Sequence, residues 1–287
     1  MSMPVVAGRT DLPWTALVWT LSLVAIAGLL WPLVSVVMGG VGALSLEFLL
    51  ASPSDGGRAG GIAPVLVSTL GIVAISLVAA LPPAFAVAVT LTEGCDPSGG
   101  LARLVRGGLD ILAGIPSVVF GLFGLAFFCR WMGLGYSIAA GGLTLACMIL
   151  PTLARATTSA LEAAALQHRQ AGSALGLTRR GVLFHVIVPV AAPGICAGLV
   201  LALGRALAET AVLLFTSGYS DRMPGSIMDS GRSISVHIYE LSTNVPGGSA
   251  NAYGSALALL MMLAILSLAV HGLMNWMRRR MTGASPA

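Results

Sequence analysis

Between residues 186 and 216 the chain reads VIVPVAAPGICAGLVLALGRALAETAVLLFT. A bilayer's hydrocarbon core, about 30 Å thick, takes roughly 20 apolar residues as a helix, so this run is long enough to cross one. Yet it carries Arg205 and Glu209. A charge at the bilayer centre costs about 2.5–3.5 kcal/mol even on the most lenient scale, so both charges need a reason. Four apart, they fall on one face of a helix. Gly194, Gly198, Ala202 and Ala206 recur beside them, and GICAG has the small-xxx-small spacing that lets helices approach closely. Two readings stay open. In the first, Arg205 and Glu209 pair with each other and only hold a helix bundle together, an expensive device. In the second, Arg205 offers its fork of donors to an anion crossing the membrane, and Glu209 orients that fork and limits its charge.

The composition agrees with a membrane setting. Of 287 residues, 56% are hydrophobic and 9% charged, against about 25% charged in soluble domains. Apolar runs of this length satisfy their own backbone only as helices, so the expected class is an all-α, polytopic membrane protein. All fifteen basic residues are arginine. Without lysine the chain holds no Walker A phosphate loop and no Schiff-base lysine. The arginines are dispersed and not interleaved with aromatics, which argues against nucleic acid as a partner. Cys95, Cys129, Cys147 and Cys196 match no zinc or redox spacing. No disulfide framework is expected.

Six apolar segments stand out, near 14–38, 64–91, 107–129, 136–153, 187–217 and 254–276. They predict six transmembrane helices, the first a retained anchor rather than a cleaved signal. Arginine counting sets the orientation. With the N-terminus inside, Arg9, Arg103, Arg106, Arg155, Arg169, Arg179, Arg180, Arg278, Arg279 and Arg280 are cytoplasmic, and Arg58, Arg130, Arg222 and Arg232 lie outside. Both termini are therefore expected in the cytoplasm. In the outer loop 218–253, SISVHIYELS places Ile234, Ile238 and Leu241 on one helical face, which fits a short helix at the membrane surface or a packed loop. The inner loop 154–186 is rich in helix formers and punctuated by Gly172, Gly176 and Gly181. It reads as two short helices with a turn between, a hairpin shaped for another protein to grip. Asp110, at the inner end of the third segment, is expected in water or paired with Arg155. GIPSVVFGLFG at 114–124 reads as a kink at Pro116 with close packing at its glycines. No histidines have metal-ligand spacing, and no catalytic triad or metal site is expected. The halves show none of the internal symmetry of a complete carrier, so a partner subunit is expected.

The inner hairpin resembles the EAA motif of ABC importer permeases. LEAAAL at 161–166 holds the letters, but its register needs a glycine where His168 stands. The fitting register is Gln170-Ala171-Gly172, then Gly176, then Val186-Ile187-Val188-Pro189. Glutamine replaces the motif's acid and glycine its second alanine. Within that superfamily the chain resembles the phosphate permeases of the PstA type, through SPSDGGRAGGIAPVLVSTL (52–70), DILAGIPSVVFGLFGL (110–125), ILPTLARATTSAL (149–161), GLVLALGRALAETAVLLFTSG (198–218) and SVHIYE (235–240).

The resemblance implies a type I ABC importer, MetI-like permease fold. The permease domain would occupy 64–276 with its coupling loop at 154–186, preceded by tail, first helix and outer loop at 1–63 and followed by a tail at 277–287. It implies an inner-membrane subunit that moves inorganic phosphate by alternating access without catalysing a reaction itself. The implied partners are a PstC-like permease, two PstB-like ATPases and a PstS-like periplasmic phosphate-binding protein, besides membrane lipid. This chain would bind no cofactor; ATP and Mg would be used by the ATPases. Arg205 and Glu209 would lie on the substrate path. Gln170, Ala171, Gly172, Gly176 and Pro189 would belong to the segment that couples to the ATPase. Another oxyanion as cargo (molybdate, sulfate or a phosphonate), a phosphate-signalling role and an ion-driven carrier are the alternatives.

Overall fold

The computed structural model of the chain describes residues 12–96, 98–174 and 176–282. Arg9, with the rest of 1–11, and the last residues of the expected tail, 283–287, lie outside the described residues. Among the described residues five helices are long and apolar enough to cross a membrane: Trp14–Gly40, Ala63–Gly94, Ile138–Gly172, Arg179–Ala208 and Ser249–Trp276. They fall on five of the six expected segments. The remaining expected segment, 107–129, falls on a bent pair that makes a sixth span if its two helices cross together. It is a pair of helices, α4 (Gly100–Gly114) and the stretch Ser117–Trp131, bent by 97° at Ile115–Pro116. The bend follows from Pro116, which disfavours helix at the residue before it; Ile115 is extended at φ −70°, ψ 129°. Residues 107–114 thus belong to a separate helix.

In chain order the other elements are α1 (Leu12–Gly40), α2 (Leu46–Leu50), the antiparallel pair β1 (Pro53–Ser54) and β2 (Ala59–Gly60), and α3 (Ala63–Val89). After α4 come α5 (Ser117–Gly124), α6 (Ile138–Ala174), α7 (Arg179–Val182), α8 (Val188–Ala208), α9 (Ala211–Thr216), α10 (Ile234–Thr243) and α11 (Ser249–Thr282). Three wide π-turns, Thr90–Gly94, Leu125–Trp131 and Leu183–Ile187, continue α3 and α5 and join α7 to α8.

α6 is the central helix. It packs along α3 on one side and α8 on another, and Leu145, Ile149, Leu153, Ile72 and Leu203 are fully buried between them. The close approach of α6 and α8 explains the glycine spacing in α8. A Cβ at Gly194 would lie 2.7 Å from the Ala160 methyl, and one at Gly198 would lie 2.4 Å from that of Ala156. Ala202 and Ala206 continue the buried stripe. At 37 residues α6 is about 55 Å long, well beyond a bilayer core, so it projects from the membrane and becomes the first leg of the inner hairpin.

The segment after α9 folds over the start of α6. The Ile138 and Ala139 amides donate to the carbonyls of Asp229 and Ile227 (3.0 and 2.8 Å), and the Ala140 amide donates to the Ser137 hydroxyl (3.1 Å). The orphan donors at that helix start are thus satisfied. α10 forms where SISVHIYELS predicts a helix, but it is built into the bundle. Ile234, Val236, His237 and Leu241 are buried, and the Ile234 amide donates to the Thr69 hydroxyl of α3 at 2.9 Å. α1 stands apart, touching α11 where a Cβ on Gly39 or Gly40 would strike Tyr253.

Candidate functional site

Arg205 lies in the last turn of α8 and Glu209 just past it. The sequence spacing puts them on one helical face, and the structure ends the helix just there, turning the chain away from Thr210 onward. α8 stops at Ala208, and Glu209 is extended at φ −74°, ψ 124°. The helix restarts at Ala211 as α9. The carbonyl freed at the break is taken by α10, whose Ser235 hydroxyl donates to the Glu209 carbonyl oxygen at 2.6 Å. Nothing local in the sequence marks this break, because its partner is 26 residues further on.

Arg205 and Glu209 are both half-buried. Among the described residues they form no ion pair or hydrogen bond with each other, although Arg205 is near enough for its charge to act on the carboxylate. A pair that only clamps the bundle would be in contact, so the first reading of the sequence loses its geometry. One turn before Arg205 on the same face, Leu201 is 65% exposed. The stripe Val190, Ala197, Leu201, Arg205 and Ala208 is therefore a side of α8 that its own chain leaves uncovered, adjoining the glycines packed on α6.

The coupling residues cluster at the far end of α8. They do not form two separate short helices. The first leg of the hairpin is the end of α6, and the second is α7, which runs through the π-turn into α8. Gln170 and Ala171 are exposed on the last turns of α6. Gly172 is buried, and a Cβ there would lie 2.8 Å from a Val182 methyl. Glycine in place of the motif's alanine is thus what lets the legs close. Gly176 takes φ +72°, and the Leu177 amide donates to the Gly172 carbonyl at 3.3 Å, the helix-ending turn that favours glycine. The Thr178 hydroxyl then caps α7 by accepting from the Gly181 amide. Pro189 has no N–H to donate back to residue 185, and a proline ring crowds the carbonyl four residues earlier. The π-turn removes the clash by widening the helix there, and the Val188 amide donates to the Leu183 carbonyl five residues back.

Ion pairs brace this end. Arg169 pairs with Glu93 after α3, Glu162 with Arg106 of α4 at 3.0 Å, and Arg155 with Asp110 of α4. Asp110 thus has the partner expected for it, and the Glu162 of LEAAAL has a structural one. The groove between α4 and α6 holds cavities of about 510 and 420 Å³; Gln170 and Arg169 line the larger one. At the opposite end His237 is fully buried, and its Nδ1 accepts from Arg232 Nη1 at 3.4 Å. Burial, with the Arg232 charge adding to it, pushes the imidazole down to about 4. His237 packs against the loop at Gly57, where a Cβ would lie 2.7 Å from its Cε1. SVHIYE is therefore a packing stretch.

Residues 86–283 match the family described as binding-protein-dependent transport system inner membrane component. The chain is similar to the probable ABC transporter permease protein YqgI of Bacillus subtilis, 30% identical over 86% of this chain and 89% of the relative. It is 32% identical to the phosphate transport system permease protein PstA 2 of Mycobacterium bovis, over 93% and 88% of the two chains. Among solved structures, a chain of the MetNI methionine ABC transporter in an inward-facing conformation superposes with a TM-score of 0.53 at 18% identity, covering 76% of this chain and 96% of that one. A long central helix, a helical hairpin between two membrane helices and this family match agree, and the chain belongs to the binding-protein-dependent transport system inner membrane components, the permease subunits of ABC importers.

Proposed function

We propose that the chain is the phosphate-translocating permease of an ATP-driven importer. The observation that carries the reading is Arg205, half-buried on the uncovered face of α8, beside a helix break, with no ion pair among the described residues. A guanidinium that is neither locked nor fully solvated is a fork of donors for a tetrahedral oxyanion. The relatives named as phosphate permeases favour phosphate as that anion. Glu209 sits near enough to temper the charge, so the anion is released as well as bound.

The permease domain is assigned to 64–276, with the coupling loop 154–186 in the cytoplasm together with both termini. Pro189 and Arg205 are sixteen residues apart on α8, about 24 Å. With Pro189 at the inner surface, the guanidinium would lie in the outer half of the bilayer. The uncovered face of α8 would meet a PstC-like permease, so the pathway runs between the two subunits. Two PstB-like ATPases, using ATP and Mg, would push on the hairpin at Gln170, Ala171, Gly172 and Gly176, and a PstS-like protein would deliver the anion outside. Alternating access follows if ATP binding favours one arrangement of α8 over the other. This chain makes and breaks no covalent bond in the scheme.

Uptake of labelled phosphate by the assembled transporter in proteoliposomes tests the reading. Arg205→Gln should abolish ATP-dependent uptake while the protein still inserts and assembles; wild-type rates would remove Arg205 from the pathway. Molybdate, sulfate and a phosphonate, each added as competitor, check the cargo, and stronger competition by any of them than by phosphate would reassign it.

A further inference from the structure

We infer that α4 is an interfacial helix whose apolar stripe sits in the lipid of the hairpin-side leaflet and whose arginines hold anionic phospholipid headgroups. Length places it there first. α4 and the stretch 117–131 have fifteen residues each, about 22 Å. Neither crosses a core of about 30 Å alone, and their 97° bend keeps them from crossing it as one rod. A helix lying in the interface sinks about 5–10 Å into the headgroup boundary. If α4 lies there, the stretch from Pro116 has only the remaining distance to cover. It ends on exposed Arg130 and Trp131, the residue types that anchor spans at interfaces.

The side chains around α4 are distributed for an interface as well. Arg103, Arg106 and Asp110 fall within an arc of about 60°. Ala102 and Leu109 are buried against the bundle. Leu101, Leu104 and Ile111, on a further side, are 56%, 73% and 71% exposed. An uncovered apolar stripe next to a cationic edge matches an anionic leaflet, apolar toward the acyl chains and positive toward the phosphates. Position adds to this, because the chain enters α4 from a membrane-length helix and leaves it into the apolar stretch 117–131. Arg103 is exposed and in no ion pair among the described residues. Arg106 and Asp110 are tied to α6, so a lipid held at α4 is one contact away from the helix that becomes the hairpin. The inference needs only that the chain lies in a membrane, whatever its cargo.

The test uses the full chain in nanodiscs of phosphatidylcholine with and without phosphatidylglycerol. A phosphatidylglycerol with a photoactivatable acyl chain should label the 101–111 peptide. Labelling confined to the long spans would overturn the interfacial placement. Native mass spectrometry then counts retained phosphatidylglycerol. Arg103→Gln should retain it about fivefold less well, the worth of one basic residue at an anionic surface, and Arg103→Lys should restore retention. Equal retention in all three would remove the headgroup contact. Displacement of the lipid by inorganic phosphate would show that the arginines take free anion instead.

Discussion

A methyl group at position 172 would land against Val182, so glycine there is a packing residue although it breaks the motif's alanine. The same substitution should have opposite signs at two places. Gly172→Ala gains about 0.5–1 kcal/mol of helix propensity but overpacks a closed contact, which costs about 1–3 kcal/mol; a net loss of about 1 kcal/mol is expected. Gly107→Ala, on α4 with open space around it, should keep the propensity gain. Thermal unfolding of the solubilised protein checks both. His237 gives a pH dependence at the same scale. It titrates at about 4 in the folded protein and near 6.5 unfolded. Because the folded pKa is the lower, stability is full above 6.5 and falls as pH drops toward 4. Between pH 7 and 5 the loss should be about 2 kcal/mol. Melting of wild type and His237→Gln across that range should show the wild-type slope flattened in the variant.

Pro189 matters for an element rather than a contact. The π-turn it favours adds a residue to one turn of helix, so the hairpin is rotated by about 100° relative to α8 from where a regular helix would put it. Pro189→Ala restores an N–H and permits the regular turn. Uptake should fall severalfold while assembly and insertion persist, because the push from the hairpin then reaches α8 at the wrong angle. Unchanged uptake would show that the π-turn is not part of the lever. The three ion pairs between α6 and its neighbours serve the same element. Exposed pairs contribute about 0–1 kcal/mol each, so they set the direction of the hairpin more than the stability of the bundle.

In the whole molecule, what is exposed at the hairpin is as informative as what is buried. Ala171 is exposed on the last turns of α6. Ala171→Arg should therefore leave the melting temperature unchanged and prevent co-purification with the ATPase subunits. Undiminished recovery of the ATPase would place the docking surface elsewhere. From Trp14 to Val34 every residue of α1 is exposed, so lipid or another subunit completes the bundle.

The sequence by itself determined the membrane class, five of the spans, the place of the hairpin and the helix contact at Gly194 and Gly198, because each is local. An apolar run, a glycine spacing or an arginine count acts over one or two helix turns. It left the direction of the segment at 107–129 open, because apolar content records solvent and not direction. The 97° turn at Pro116 was legible only as a kink. It reads 186–216 as one run in which the helix continues through Glu209. Tertiary structure decided that it does not: Ser235, from an element 26 residues later, takes the carbonyl at the break. Such a hydrogen bond is chosen by the fold's geometry, and no neighbouring residue encodes it.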